Sequence, residues 1–153
     1  MQIISDLVEA HVFRISDERM EFLSLKRADR SVYPGLWQMV TGKIKRDESA
    51  YKAALREIKE ETGLTPEKLW IVPNINSFYD HSRDVICNLP VFACKVSPDS
   101  KVFISEEHSE FQWVKSETAK SLLAWPGQKK SVDIITEYFS KENSLLNFIE
   151  IML

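Results

Sequence analysis

Between Ser49 and Thr62 the chain reads as a helix with two faces of opposite character. At about 100° per residue, Tyr51, Leu55, Ile58 and Thr62 gather on one side, and Glu57, Glu60 and Glu61 gather on another. Asp47 or Ser49 can cap its start, no glycine or proline interrupts it, and Gly63 stands where it ends. The apolar stripe requires a second layer to pack against, so the rest of the chain must supply one. The glutamates stand at i, i+3 and i+4, which brings their carboxylates together. Taken alone, Arg56 to Glu61 would be an ordinary solvated acidic face. Three carboxylates that close repel one another, and the arrangement makes chemical sense when a hard divalent cation lies between them. Such a cation would polarise phosphoryl oxygens and lower the pKa of a water. Gly42, upstream, lets the backbone approach, and its carbonyl could complete the coordination.

The layer for that stripe is legible on both sides of the helix. Leu7 to Ile15 and Met20 to Lys26 read as strands joined by the turn-like Ser16-Asp17-Glu18-Arg19. Ala28 to Leu36, with Pro34-Gly35, is a loop, and Trp37 to Val40 is a short apolar run. Trp70 to Phe78 and Val85 to Val96 read as longer strands, followed by short ones at Val102 to Ile104 and Glu110 to Val114. Ser116 to Ala124 and Ser131 to Ser140 read as helices separated by a break at Pro126-Gly127, and the apolar tail SLLNFIEIML reads as helical. Strands with a few interspersed helices imply an α/β or α+β sandwich. With no repeat and no Gly/Ser linker, residues 1–153 form a single domain, a common size for one core.

Composition narrows the function. A content of 44% hydrophobic and 28% charged residues is that of an ordinary globular protein. The net charge of −3 argues against a nucleic-acid partner, which usually calls for a basic stripe. The N-terminus has neither a basic leader nor an unbroken apolar core, so no signal peptide is expected. No stretch approaches the roughly 18 apolar residues of a membrane span. Cys87 and Cys94 lie an odd number of positions apart in a strand, hence on opposite faces, and are expected to be free thiols. There is no zinc-ligand spacing. The expected location is the cytoplasm.

Gly42 to Leu64, GKIKRDESAYKAALREIKEETGL, contains Gly42, Glu48, Arg56, Glu57, Ile58, Glu60, Glu61, Gly63 and Leu64. These fill every fixed position of the pattern G-x5-E-x7-R-E-U-x-E-E-x-G-U, where U is a bulky aliphatic residue. A random window would match on the order of once in 10⁹. By this segment the chain resembles the Nudix hydrolases. The resemblance implies an α/β/α sandwich around a mixed β-sheet, with the box helix on one side and the C-terminal helices on the other. It also implies Mg²⁺, with Mn²⁺ as the alternative, held by Glu57, Glu60 and Glu61 with Gly42 and Glu48. Arg56 would orient a carboxylate, foremost Glu60. Lys43 and Asp47 stand where many members have glycine, a departure that bears on loop shape and substrate fit.

Outside the box, Glu106-Glu107-His108-Ser109-Glu110-Phe111-Gln112-Trp113 resembles a family segment whose glutamate before the histidine lies near the metals, which makes Glu107 a candidate base. Leu36-Trp37-Gln38, with Glu107-His108, Trp125, Gln128, Ile134 and Phe139, resembles the dihydroneopterin triphosphate pyrophosphatases, so Trp37 and Gln38 are candidate substrate contacts. Lys26, Arg27 and Arg30 are candidate phosphate ligands. Tyr33, Phe78, Tyr79 and His81 can stack on a base or be core, and His11 has no partner legible in the sequence. The expected substrate is a nucleoside or pterin triphosphate, split with release of pyrophosphate, by a monomer or homodimer. The rivals are an asymmetric diadenosine tetraphosphate hydrolase, a nucleotide-sensing domain without catalysis and an RNA-decapping enzyme. The full set of box carboxylates weighs against the sensor, and the net charge against the decapping enzyme.

Overall fold

Alternating apolar residues build one mixed sheet in the computed structural model, which describes residues 1–140 and 146–153, the side chains of Asn147 and Phe148 excepted. The long strands are β2 (Leu7–Ser16), β3 (Arg19–Arg27), β6 (Lys68–Asp80) and β7 (Val85–Lys95). Shorter ones are β1 (Gln2–Ile4), β4 (Trp37–Gln38), β5 (Val40–Lys43), β8 (His108–Val114) and β9 (Glu150–Ile151). The order is β4-β3-β2-β7-β6-β9, with β8 also on β3, β5 also on β2 and β1 also on β7. β1 and β2 run parallel to β7, and the other pairs are antiparallel.

The period of two along β2 sorts the core into two layers. Val8, Ala10 and Val12 face α1 (Ala50–Thr62) and pack with Leu23, Leu25, Ala53, Ala54 and Ile58. Phe13 faces the other way, and joins Phe22, Trp70 and Val72 against Ala119 of α2 (Ser116–Leu122) and Val132 and Ile135 of α3 (Pro126–Ser140). The result is the expected α/β/α sandwich. The buried face of α1 centres on Ala53, Ala54 and Ile58, with Tyr51 and Leu55 partly buried beside it. Small alanines there let the helix approach the sheet closely. Ser49 occupies the cap position without a side-chain hydrogen bond, and Gly63 closes the helix at φ 73°, its N–H donating to the Lys59 carbonyl.

Three segments differ from expectation. Val102 to Ile104 forms no strand, because its backbone is used elsewhere: the Phe103 N–H donates to the Thr62 carbonyl and the Ser105 N–H to that of Glu61. Pro126-Gly127 does not break the chain between helices but begins α3, since proline is well suited to a first helical position, where its missing N–H costs nothing. In the tail, Leu146–Ile149 is a short helix α4, but Glu150 and Ile151 pair with β6 at Trp70 and Leu69. Ser144 and Leu145 of that tail lie outside the described residues. Cys87 and Cys94 are buried, free and in separate apolar clusters. Among the described residues, no helix is long and apolar enough to cross a membrane.

Ile58 is fully buried where the helix that bears the glutamates meets the sheet. Ile58→Ala is expected to cost about 2–5 kcal/mol of stability, read as a lower urea midpoint at unchanged m-value. A loss below about 1 kcal/mol, within the range of an Ile→Val change, would show that this contact does not anchor the helix.

Candidate active site

The site forms where the end of α1 meets the segment leading into β8. The last carbonyls of a helix lack partners within it, and here the Phe103 and Ser105 N–H groups supply them at 2.9 and 3.2 Å. That docking sets Glu106 and Glu107 across from the helix glutamates. The Glu107 carbonyl in turn accepts from the Ala28 N–H at 2.9 Å and the Ser31 hydroxyl at 3.1 Å, tying in the loop after β3. Glu57, Glu60, Glu61, Ser105, Glu106 and Glu107 line an open cleft of about 240 Å³.

Arg56 fastens the other side. Its Nε and Nη2 donate to the two oxygens of Glu48 at 2.8 and 3.0 Å, a two-pronged pairing. Nη1 donates to Glu57 at 2.6 Å and to Glu60 at 3.2 Å, and Nη2 also reaches the Lys43 carbonyl at 2.8 Å. The Glu60 bond foreseen from the sequence is present, but it is the longest of the five. Glu60 is the more exposed carboxylate, whereas Glu48 is held edge-on in a closed turn, where it also accepts the Lys45 N–H at 2.9 Å. Asp47 adopts a left-handed φ of 62° in that turn, a conformation that favours glycine. Gly42 has a different requirement: a methyl group there would overlap the Glu57 carboxylate.

The substrate candidates divide between the two faces of the sheet. Arg27 lies close enough to Glu61 and His108 to act on their charge, and its Nε donates to the Val32 carbonyl. Lys26, one residue earlier, points to the other face, where it pairs with Glu110 at 2.9 Å and lies 6.0 Å from the Trp37 ring. Arg30 is exposed on the loop. Gln38, a candidate substrate contact, is buried, with Nε2 at 3.3 Å from His108 Nε2, so it supports that ring. Tyr33 and Trp125 are both exposed and meet edge to face, 6.2 Å between centroids. Trp113 packs at the edge of the core under Arg14. Sequence reasoning gave His108 and Glu106 no role. Their signal was adjacency to Glu107, which shows only once the segment is docked on α1.

Burial and like charge raise two of the carboxyls. Glu61 is pushed up to about 9, first by burial and then by Glu107 and Glu57. Glu57 is raised by burial in spite of Arg56. Glu48 goes the other way, down to about 2, because Arg56 hydrogen-bonds to it. Burial lowers His108, with Arg27 adding to the effect against the pull of Glu107. Glu61 Oε2 is buried with no hydrogen-bond partner. An unpaired carboxylate oxygen amid further carboxylates is a donor set fit for a hard divalent cation.

Glu61 therefore links stability to pH. Between its ordinary 4.5 and about 9, the folded cation-free protein holds a proton that the unfolded chain has released. Stability from this group is complete below the lower value and is lost as pH rises through the upper one, at no more than about 1.4 kcal/mol per pH unit. In EDTA, Tm is expected to fall from about pH 6 to pH 8, and to fall much less in Glu61→Gln. Equal slopes in the two proteins would remove Glu61 as the cause.

A family model described as the NUDIX domain matches residues 7–135. The nucleoside triphosphatase NudI of Klebsiella pneumoniae (strain 342) is 31% identical over 114 residues, covering 70% of this chain and 81% of that protein. An octanoyltransferase of Myxococcus xanthus is 36% identical over 105 residues, 64% of this chain, but the chain spans only 28% of that protein's length. The solved structure of a C. elegans Ap4A hydrolase in a binary complex superposes with a TM-score of 0.74 at 21% identity, over 90% of this chain and 98% of that one. At that identity the likeness speaks for the fold alone. With the family model spanning most of the sandwich and every box residue in place on and around α1, the chain belongs to the Nudix hydrolase family.

Proposed function

We propose that the protein is a divalent-cation-dependent pyrophosphohydrolase that cleaves a phosphoanhydride bond of a nucleoside or pterin triphosphate and releases pyrophosphate. The observation that carries this reading is the convergence of Glu57, Glu60, Glu61 and Glu107 on one cleft, with a buried Glu61 oxygen left unpaired. Glu57, Glu60 and Glu61 would hold Mg²⁺ or Mn²⁺ with the Gly42 carbonyl, while Glu48, engaged by Arg56 and the Lys45 N–H, keeps the arginine in place. A bound cation supplies Lewis acidity toward the phosphate and makes a water more acidic. Glu107, exposed on the cleft, accepts the proton of the attacking water. Arg27, beside Glu61, offsets charge on the phosphates. Tyr33, on a loop tied to Glu107 through Ala28 and Ser31, and Trp125, just before α3, offer faces for the base or pterin ring. Similarity to the nucleoside triphosphatase NudI favours a triphosphate, and the intact set of box glutamates favours catalysis over nucleotide sensing.

A screen with Mg²⁺ over dihydroneopterin triphosphate, deoxynucleoside triphosphates, diadenosine tetraphosphate, nucleotide sugars and NADH tests the reading by identifying the products. Pyrophosphate from a triphosphate is expected. Preference for diadenosine tetraphosphate would replace the substrate, and nucleotide binding without turnover would replace catalysis by sensing. Glu61→Gln is expected to lower kcat at least about 100-fold, roughly 2.7 kcal/mol, with the fold retained by circular dichroism. Full turnover in that variant would sink the assignment of Glu61 as a ligand.

A further inference from the structure

We propose that His108, through Nδ1, joins Glu61 and Glu107 as a nitrogen ligand of a divalent cation, forming a subsite that takes a transition-metal ion such as Mn²⁺ in preference to Mg²⁺. This inference rests on the cation-dependent reading of the cleft and specifies one part of it. One ligand atom from each of Glu61, Glu107 and His108 falls within 4.8 Å of the others. Two of the three side chains are almost wholly enclosed, Glu61 at 3% and His108 at 4% exposure. Glu61 Oε2 and His108 Nδ1 are both buried without a hydrogen-bond partner. Buried polar atoms are nearly always paired, and two unpaired ones in the same small group of donors point to a shared occupant. An oxygen on one side and an imidazole nitrogen on the other suit a cation that accepts both. Imidazole suits first-row transition ions, best those later than manganese, and Mn²⁺ accepts it beside carboxylates, whereas Mg²⁺ keeps to oxygen.

The ring is held for that task. Its Nε2 faces the Gln38 amide at 3.3 Å, and the backbone N–H of His108 donates to the Ser105 carbonyl at 3.2 Å. An amide can present either its oxygen or its nitrogen to a ring. With the oxygen toward His108, Nε2 carries the hydrogen and donates it, which leaves the Nδ1 lone pair free for a metal. Gln38 is thus a positioning residue: it fixes the tautomer and does not touch the ion. Glu61 is common to this subsite and to the helix carboxylates, and the two sets would share its carboxylate; Glu107 would give one oxygen to the ion and keep the other for the proton of the attacking water.

Pulsed electron paramagnetic resonance on the wild-type protein with stoichiometric Mn²⁺ and no Mg²⁺ tests this directly. A ¹⁴N coupling of imidazole type is expected, together with its loss in His108→Gln. Gln38→Leu is expected to weaken Mn²⁺ binding about 10-fold, with a much smaller change for Mg²⁺. Bound Mn²⁺ without nitrogen coupling in the wild type would overturn the inference and leave the carboxylate cleft standing, and the wild-type spectrum decides this even if the variants fail to fold. Coupling that persists in His108→Gln would also overturn it. Absence of Mn²⁺ binding altogether would sink the cation-dependent reading with it.

Discussion

One guanidinium holds the acidic edge of this protein together. Arg56 has five N–H donors and makes five hydrogen bonds, to both oxygens of Glu48, to Glu57, to Glu60 and to the Lys43 carbonyl. The pairing with Glu48 is mutual: it holds the glutamate down near 2 and raises the arginine well above its usual range. A lysine could not substitute, because a point charge on a flexible stem does not match two carboxylate oxygens at once. The loop before α1 and the helix itself are thereby fixed against each other. Yet one positive charge stands against three carboxylates on its own side, and Glu106 and Glu107 add more. On the proposed reading, cations from solution would offset that excess of negative charge when a polyanionic substrate binds.

The second constraint is the C-terminus of α1. A helix end concentrates unpaired carbonyls and negative partial charge, an unfavourable place for another acidic segment. The Phe103 and Ser105 N–H groups resolve the hydrogen bonding and thereby fix Glu106 and Glu107 beside it. Capping of the helix and assembly of the site are therefore one event. It explains why apolar residues at Val102 and Ile104 pack under the helix without forming a strand.

These two constraints separate what could be read from the sequence from what could not. The helix, its glutamates and the long strands of the sandwich follow from local periodicity, and Gly42, Glu48 and Arg56 from fixed spacing, so these were legible, whereas the short strands β1 and β9 were not. The main partner of Arg56 was not, because Glu60 is one turn away along the helix whereas Glu48 comes near only when the loop folds back. Trp37 and Gln38 are adjacent, and the residues opposite them on β3, Lys26 and Leu25, face different layers, which no resemblance at the level of a motif reports. The start of α3 at Pro126 was misread because proline ends a helix from within but suits its first turn. His108 sits beside Glu107 in the chain, but Glu61 and Gln38 reach it only through the fold.

The opposite face of the sheet offers an internal comparison. Glu9 is fully buried there and His11 nearly so, an arrangement as costly in principle as Glu61 with His108. But His11 Nε2 lies 3.1 Å from Glu9 Oε2, and Asn76 donates to Glu9 Oε1 at 3.1 Å, so both carboxylate oxygens are engaged. Asn74 likewise bonds to Ser131 and to the Gly127 carbonyl. A buried polar group whose atoms are satisfied by its neighbours needs nothing from solution and serves the packing of α3 on the sheet. On the α1 face, the same kinds of residue leave a carboxylate oxygen and a ring nitrogen unpaired beside like charge. A fold able to pair one buried Glu and His so fully has no general difficulty in doing so. Leaving Glu61 Oε2 and His108 Nδ1 unpaired is therefore a property of that place in the structure, and it supports the proposal of a cation subsite on that face.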